Sequence, residues 1–381
     1  MEQRKGIRIL MIGPMGDTGG VATHTRALTA RLREMGDHLT EFNTLTSKGW
    51  RPGRKDPLTL LDHVVKVLRL STYMPLVIFR NRNRVDIVHI QSSGPLGGFL
   101  PAVMGTFCTS VLGLRSVITF HYSKTDRFVK DHPGKLRKVI ARSSAFIVVS
   151  GKQKDLISGV IPGKDRSKLV RIPNGFDRSD FPLKERGEAR KELGIGGDEL
   201  VMSNIAWIME KKGHIFLLEA LRRLREDVSK PVRCFIMGKG PLLDEMRERT
   251  VSMGLSDAIE FTGFVDQERM VTILNASDMF VLPSLNEGNP IVMFEALGMG
   301  LPYVGTDVGG VSEIIVDGRY GILCPPGDAE ALYRIIREAA DREWDREEII
   351  RYSGNFTWER IAMLTRDVYE SIVEREEGEA R

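Results

Sequence analysis

The chain has 381 residues, of which 42% are hydrophobic and 28% charged, as is ordinary for a soluble globular protein. This length exceeds what one hydrophobic core usually organises, which argues against a single domain. Residues 1–185 carry 31 Lys and Arg against 15 Asp and Glu, whereas residues 186–381 carry 24 against 36, so the first half is expected to attract anions. The three cysteines are far apart and odd in number, which argues against disulfides and favours a cytoplasmic protein.

The N-terminal sequence passes from a charged start straight into a strand pattern over residues 7–12, so we expect no signal peptide. The strand is followed by the glycine-rich segment GPMGDTGGVATHTRALTARL, residues 13–32. Backbone N–H groups at a helix start can receive a phosphate, which makes Gly19 and Gly20 candidate ligand-binding residues. The glycines lack G-x-G-x-x-G spacing and Glu41 sits mid-strand, so a nicotinamide cofactor is only weakly supported. A tight turn that needs positive φ remains the alternative.

The uncharged run over residues 87–114 is long enough to span a membrane. It contains His89, Gln91, glycines and prolines, which favour a strand, a loop and a buried helix instead. The next strand, residues 116–120, leads directly to His121, whose imidazole could donate a hydrogen bond into a crevice at the end of the sheet. A packed core histidine is the alternative.

Short β-rich runs alternate with helical patterns along the whole chain, which is typical of parallel sheets wound by crossover helices. The first series of strands also includes residues 85–90 and 144–150. A second series comprises residues 199–205, 232–237, 258–261, 279–282 and 302–304. Two series predict two α/β lobes, and the segment over residues 172–197, rich in proline, glycine and charge, is predicted to link them.

Two candidate sites follow strands of the second series. Lys211 and Lys212 come after residues 199–205, and a lysine at the carboxyl end of a parallel strand can hold a phosphate as a point charge. Solvated surface lysines are the alternative. Gly238 lies in another glycine turn, IMGKGP, after the next strand.

The segment PSLNEGNPIVMFEALGMGLP, residues 283–302, keeps two carboxylates in an apolar stretch. Asn289 as a cap and Pro290 as the first residue predict a helix over residues 290–298, with Glu287 in the loop before it. Apolar residues cover most of this helix, so Glu295 is expected to be buried or to face a cleft. A carboxylate there costs roughly several kcal/mol unless it is paired, hydrogen-bonded or bound to a ligand. A distant ion pair or a water cluster is the alternative to a ligand.

Several signatures of other enzyme classes are absent from the sequence. There is no Asp-x-Asp pair and no His, Cys and Asp cluster with metal-ligand spacing, so no protein-held metal is expected. There is also no P-loop and no Gly-x-Ser-x-Gly turn, which argues against two large enzyme classes.

Taken together, these segments resemble the retaining glycosyltransferases of family GT4, which have the GT-B fold. Residues 283–328 are similar to the hallmark Glu-x7-Glu segment of the family, with Glu287 and Glu295 at the acidic positions. GGVATH, IPNGFD, IMGKGP and FTGFVD are similar to lesser family signatures. The resemblance implies two Rossmann-like, doubly wound domains that face an interdomain cleft. These would be an acceptor-binding domain over residues 1–180, a nucleotide-sugar-binding domain over 181–355, and a final helix, 356–381, that packs back on the first.

The resemblance also implies how a nucleotide-sugar donor is bound. Glu295 would accept hydrogen bonds from the ribose hydroxyls, and Glu287 would hold the sugar hydroxyls together with the turn formed by Gly288, Asn289 and Pro290. The helix N-terminus and the turn of Gly19 and Gly20 would close on the diphosphate, and the base would lie near Gly238 and Val265.

The implied reaction is sugar transfer with retention, without a metal or cofactor, and with Glu287, Lys212 and His121 as catalytic residues. Lys212 would stabilise the charge that builds on the leaving diphosphate, and His121 matches the family histidine near the donor sugar. Ala206 and Trp207 stand where most relatives have Gly-Arg, so the usual phosphate-binding arginine is missing. Lys211 or Lys124 could substitute for it, or catalysis could be weak.

The acceptor is expected to be a glycan or a lipid-linked molecule bound to the first domain. Residues 47–84 combine basic charge with an amphipathic pattern, which would suit peripheral contact with anionic lipids at the inner face of the membrane. A solvated face or a phosphorylated acceptor are the alternatives, and nucleic acid fits less well because no aromatic platform accompanies the basic residues. Two other functions remain open: a nucleotide-sugar epimerase of the same fold, and a non-catalytic nucleotide-sugar-binding subunit.

Overall fold

The computed structural model describes residues 6–16, 19–45, 64–94 and 96–379, and the chain divides into two compact units. Unit 1 comprises Met1–Gly175 and Trp358–Arg381, and unit 2 comprises Phe176–Thr357. The chain passes from unit 1 to unit 2 between Gly175 and Phe176, within the predicted linker over residues 172–197, but the rest of that segment contains helix α7 (Arg186–Glu192) of unit 2. Ala189 of this helix is fully buried, and the guanidinium of Arg190 donates to Asp278 at 2.8 Å. The proline and glycine content of this segment therefore did not indicate that it contains a packed helix.

Unit 1 is built on one parallel sheet of six strands in the order β2-β1-β3-β4-β5-β6. Its strands are β1 (Arg8–Gly13), β2 (His38–Asn43), β3 (Ile87–Ser92), β4 (Arg115–Phe120), β5 (Ala145–Val148) and β6 (Leu169–Arg171). Its helices are α1 (Gly20–Glu34), α2 (Met74–Asn81), α3 (Leu100–Val111), α4 (Thr125–Asp131), α5 (Pro133–Arg142), α6 (Gly151–Ser158) and the final helix α14 (Trp358–Glu379). The central strands are buried on both faces, as their unbroken apolar sequences require.

Unit 2 repeats this plan with the strand order β12-β11-β10-β7-β8-β9, again all parallel. Its strands are β7 (Leu200–Ile205), β8 (Val232–Met237), β9 (Ile259–Gly263), β10 (Met279–Leu282), β11 (Tyr303–Thr306) and β12 (Gly321–Cys324). Besides α7, its helices are α8 (His214–Asp227), α9 (Leu243–Ser252), α10 (Gln267–Ala276), α11 (Ile291–Gly298), α12 (Ala329–Asp341) and α13 (Arg346–Ser353).

The strand order of each sheet reverses at one point. In unit 1 the reversal lies between β1 and β3, and in unit 2 it lies between β7 and β10. Loops that leave the carboxyl ends of such a strand pair diverge to opposite faces of the sheet, and the crevice between them is where open α/β sheets bind ligands. The glycine-rich turn follows β1, and Lys212 and Glu287 follow β7 and β10.

The uncharged run over residues 87–114 forms β3, a short turn and α3, as the sequence predicted. In the part of the chain that the structure describes, no helix has both the length and the apolar composition needed to cross a bilayer. Of the basic segment over residues 47–84, residues 47–63 lie outside the described ranges.

Helix α14 packs on unit 1, although it follows unit 2 in sequence. Trp358 is 2% exposed, and its ring centroid lies 5.1 Å from that of His24. The hydroxyl of Tyr369 lies 2.5 Å from His89 Nδ1, and Arg366 forms an ion pair with Asp37 at 3.4 Å. The apolar face predicted for the last helix thus packs on α1 and β3 of unit 1.

Candidate functional site

In unit 2, Glu287 and Lys212 meet where β7 and β10 end. Lys212 Nζ donates to Glu287 Oε1 at 2.5 Å, and the hydroxyl of Ser284 donates to the same oxygen at 2.6 Å. Glu287 is 8% exposed, so the carboxylate is stabilised by these two donors rather than by water. The sequence predicted both residues as site residues but did not predict that they pair.

Backbone packing fixes the two loops that carry this pair. Leu285 N donates to Lys211 O at 2.8 Å, which joins the loop after β10 to the loop after β7. Gly213 has φ of +67°, and a Cβ there would lie 2.0 Å from the carbonyl oxygen of Pro283. Only glycine therefore allows this close approach, which sets where Lys212 lies.

A third loop, after β11, packs against the backbone of Glu287. Gly310 N donates to Gly288 O at 2.8 Å. Gly309 has φ of +61°, and a Cβ on it would lie 2.1 Å from Glu287 O. These two glycines were not predicted as site residues, although they lie in the family-like segment over residues 283–328, in the sequence GTDVGG.

Helix α11 begins at Ile291, one residue later than predicted. Pro290 is its N-cap, with φ of −70° and an extended ψ of 125°, and Met293 N donates to Pro290 O at 3.1 Å. Asn289 therefore is not the cap, although it is buried in the loop before the helix. The proline ring fixes φ for a helix but leaves ψ free, so its position in the sequence does not decide between cap and first residue.

Glu295 lies half-buried on α11, and its carboxylate has no hydrogen bond or ion pair with the residues that the structure describes. Burial, and to a smaller extent the charge of Asp180, raises the pKa of Glu295 to about 7. An isolated carboxylate in such surroundings is costly unless something donates to it. Hydroxyl groups of a ligand would be suitable donors, because they carry no charge that must itself be desolvated.

Gly238 and Val265 lie in adjacent turns after β8 and β9. Gly238 N donates to Gly263 O at 2.8 Å, and a Cβ on Gly238 would lie 1.9 Å from Ala206 O. The N–H of Gly238 is thus already used within the protein. Trp207, at the position where most members of the resembled family have arginine, is 37% exposed.

In unit 1, the glycine-rich turn leads from β1 into α1. Gly19 is the N-cap with φ of +101°, and Thr23 N donates to its carbonyl at 3.0 Å. Nothing lies within 4 Å of the position of a Cβ on Gly19, so positive φ rather than crowding requires this glycine. Gly20 is the first residue of the helix, whose first turn contains no acidic side chain.

His121 follows β4 and lies near His24 of α1 and His89 of β3. His121 Nε2 lies 2.7 Å from Gln91 Oε1, and its ring centroid lies 4.5 Å from that of His24. Burial lowers the pKa of His121 well below its usual value, and it lowers the pKa of His24 to about 4 and that of His89 to about 3. All three imidazoles are therefore neutral near pH 7.

His24 Nδ1 lies 2.9 Å from Asn174 Oδ1, so the GGVATH and IPNGFD segments meet in space. Within the described ranges, no group of three or more His, Cys, Asp and Glu side chains is arranged to hold a metal ion.

Two family models match the chain one after the other. The model of Glycosyltransferase Family 4 matches residues 18–180, and that of Glycosyl transferases group 1 matches residues 185–356. The amylovoran biosynthesis glycosyltransferase AmsK of Erwinia amylovora is 27% identical over 71% of this chain and 66% of its own length. The alpha-maltose-1-phosphate synthase of Mycolicibacterium smegmatis is 26% identical over 93% of this chain and 96% of its own. These matches do not favour the epimerase alternative.

Several solved structures share the fold. Sucrose-phosphate synthase from Thermosynechococcus elongatus has a TM-score of 0.76 at 19% identity, over 97% of this chain and all of that chain. Anabaena HepE in complex with UDP has a TM-score of 0.71 at 18% identity, over 96% of this chain and all of that chain. The two matched models together cover most of the sequence, and both sheets have the expected parallel order. The chain therefore belongs to the family 4 glycosyltransferases and has the GT-B fold.

Proposed function

We propose that the protein transfers a sugar, with retention, from a nucleotide-sugar donor to a glycan or lipid-linked acceptor. The observation that carries the proposal is Glu295, a half-buried carboxylate whose pKa is raised to about 7 and which no described residue neutralises. In this proposal the ribose hydroxyls of the donor supply the missing hydrogen-bond donors. Solved relatives of the fold include HepE in complex with UDP-glucose and starch synthase IV of Arabidopsis thaliana bound to ADP and acarbose, which supports a donor of this class.

The pair of Lys212 and Glu287 is proposed to act on the transferred group. Both residues follow strands that flank the reversal of the unit 2 sheet, where a ligand is expected. Glu287, with the backbone of Gly288, Asn289 and Pro290, would hold the sugar hydroxyls, while Lys212 stabilises the charge on the leaving diphosphate. One such group typically lowers a barrier by about 2–4 kcal/mol.

Proton transfer is proposed to need no separate base from the protein. The departing diphosphate takes the proton of the acceptor hydroxyl, and the turn of Gly19 and Gly20 offers backbone N–H groups that can bind a phosphate. We also propose that no metal ion takes part. Transfer that persists after dialysis against EDTA supports this, and transfer restored only by a divalent cation contradicts it.

Contact with an anionic membrane surface is proposed for unit 1. The helical residues 64–81 expose several large apolar side chains, among them Leu68, Leu76 and Phe79. The guanidinium of Arg82 lies 4.1 Å from the ring centroid of Phe79. Apolar side chains mixed with arginines suit the boundary between lipid headgroups and acyl chains.

The deciding experiment is a thermal-shift screen of the full chain with UDP-, GDP- and ADP-sugars, followed by product analysis. A ligand that binds the native state raises the melting temperature with concentration. Release of the nucleotide together with a glycosylated acceptor, with the anomeric configuration kept, supports the proposal. An isomerised sugar nucleotide without acceptor indicates an epimerase, and binding without turnover indicates a non-catalytic subunit.

A further inference from the structure

Gln91 lies at the centre of a buried hydrogen-bonded network in unit 1. Its Oε1 lies 2.7 Å from His121 Nε2, and its Nε2 lies 3.3 Å from His89 Nε2 and 3.7 Å from Met11 Sδ. The residue is 2% exposed, so water does not compete for these contacts. A glutamine amide has one donor end and one acceptor end, and its orientation therefore decides which nitrogen of each imidazole carries a proton.

The thioether of Met11 fixes this orientation. A thioether sulfur is only a hydrogen-bond acceptor, so the amide end that faces it must be the NH2 group. The carbonyl end of Gln91 then faces His121 and can accept only from a protonated Nε2. His121 is thereby held with its proton on Nε2.

The other hydrogen bonds of this network agree with this assignment. His89 Nε2 has one lone pair, which accepts from the hydroxyl of Thr119 at 2.7 Å, and the NH2 group of Gln91 lies 3.3 Å from the same nitrogen. The proton of His89 is then on Nδ1, which donates to the hydroxyl oxygen of Tyr369 at 2.5 Å. No side chain in this hydrogen-bonded network has to be charged, as the lowered pKa of His89 and His121 also indicates.

Close packing holds the side chain of Gln91 in this place. A Cβ on Gly13 would lie 2.9 Å from Gln91 Cβ and 3.0 Å from its Cγ. The end of β1 must therefore be glycine for the glutamine to lie against it. The backbone of His121 is fixed as well, because its N–H donates to Ser92 O at 2.8 Å.

We propose that Gln91 is a positioning residue that holds His121 as the neutral Nε2–H tautomer, so that Nδ1 accepts a hydrogen bond from a hydroxyl group of the substrate sugar. The described residues form no hydrogen bond to His121 Nδ1, and this atom is not among the fully buried polar atoms. His121 thus acts as an acceptor, which reverses the donor role that we expected from the sequence. The identity of the ligand rests on the proposed function, whereas the tautomer does not.

The tautomer can be measured without any substrate. The full chain is labelled with 15N-histidine, and long-range 15N–1H correlation spectra are recorded from about pH 6 to 8. The chain has seven histidines, and His121→Asn identifies the signals of this ring by their loss. We expect a protonated Nε2 and an unprotonated Nδ1 throughout. A proton on Nδ1, or a cationic ring at neutral pH, overturns the proposal whatever the enzyme assay shows.

Two variants test whether Gln91 is the cause. Gln91→Leu removes the acceptor, so His121 is expected to become a mixture of tautomers. Gln91→Glu places a carboxylate beside the ring, so His121 is expected to gain a proton as pH falls, with His24 and His89 as the other titratable groups that face it. An unchanged tautomer in Gln91→Leu overturns the role of Gln91.

The matched control is Gln153→Leu. Gln153 is also buried in unit 1, but its side chain bonds to Val149, Tyr122 and Thr125 and to no histidine. Both leucine variants are expected to lower stability to a similar extent, while only Gln91→Leu changes the His121 spectrum. Once a donor is identified, Gln91→Leu should lower kcat/KM about tenfold, the effect of one lost hydrogen bond, and Gln153→Leu should not. Equal effects of the two variants on both readouts contradict a positioning role.

Discussion

Glu295 combines a raised pKa with a position that no described residue neutralises, so the proposed contact with the donor predicts that donor binding depends on pH. Its pKa is raised to about 7 in the folded protein, so the protonated form is favoured there relative to the unfolded chain. The protonated carboxyl group therefore contributes stability that is fully present below the unfolded pKa and is lost as pH rises through about 7. The affinity for a donor that needs the ionised form of Glu295 changes with pH in the opposite sense: it increases as pH rises.

We expect donor affinity to increase about tenfold between about pH 6 and 8, because the ionised fraction of Glu295 increases by that factor. Glu295→Gln should bind donor more weakly and with little pH dependence. Isothermal titration across this range measures both effects. Glu245→Gln, an exposed carboxylate on α9, is the control and should behave like the parent. A pH-independent affinity in the parent protein would count against the ribose contact.

Lys212 has two roles to separate, as a partner of Glu287 and as a group that stabilises the diphosphate. Lys212→Ala is expected to lower kcat by a factor of about 30 to 1,000, which corresponds to about 2–4 kcal/mol, with a smaller effect on donor affinity. Lys191→Ala, an exposed lysine on α7, is the control. If Lys212→Ala lowers stability but leaves kcat unchanged, the lysine serves only the ion pair.

At the scale of the elements, the loop after β11 positions Glu287 through backbone contact. Gly309→Ala would place a Cβ 2.1 Å from Glu287 O, so the loop after β10 has to move and donor affinity should fall at least about tenfold. The variant should also lose about 1 kcal/mol or more of stability because of its positive φ. Donor titration and urea unfolding measure the two effects.

Gly254→Ala is a matched control for that prediction. Gly254 has φ of +69°, but nothing lies within 4 Å of the position of its Cβ. It should show the loss of stability without the loss of donor affinity. Equal donor affinities in the two variants would show that the contact with Glu287 does not matter for binding.

Both α2 and α3 of unit 1 expose large apolar side chains. Gly105 of α3 lies beside Met74 of α2, so the two helices pack against each other. Phe79 and Phe107, which are 47% and 49% exposed, each lie under an arginine. We expect the pair of substitutions Phe79→Ser and Phe107→Ser to reduce co-sedimentation with phosphatidylglycerol vesicles several-fold.

Val251→Ser is the control for membrane contact, because Val251 is 68% exposed but belongs to unit 2. Phosphatidylcholine vesicles should retain little of the parent or the double variant. They carry no net charge and so lack the contribution of about 1 kcal/mol that each basic residue gains near an anionic surface. Equal co-sedimentation of the double variant and the parent would exclude this face as the contact.

At the scale of the whole molecule, unit 1 is completed by the end of the chain. A chain that ends after residue 357 lacks α14 and so exposes the surface on which Trp358 and Tyr369 pack. We expect this truncation to unfold unit 1, and Trp358→Ala to cost about 3–5 kcal/mol. Urea unfolding measures the effect. A chain that ends after residue 374 keeps both side chains and should be as stable as the parent. Equal stability of the parent and the two truncated chains would contradict the role of α14.

Much of the fold could be predicted from the sequence because buried parallel strands are continuous apolar runs. The strands that were missed, β6 and β12, lie at sheet edges. β6 has only three residues and β12 only four, so neither gives an apolar run long enough to indicate a strand. The helix α7 was missed because glycine, proline and charge around it resemble a linker, and the burial of Ala189 depends on a neighbour far along the chain.

The sequence by itself determined the two parallel α/β lobes, the family, and the spacing of Glu287 and Glu295, because these depend on neighbouring residues in the chain. Tertiary structure alone decided that Lys212 pairs with Glu287 across 75 positions, that Gly309 supports them, and that Gln91 meets His121 across 30. The physical reason is the strand order. Which loops become neighbours depends on how the strands are arranged in each sheet, and local periodicity carries no information about that arrangement.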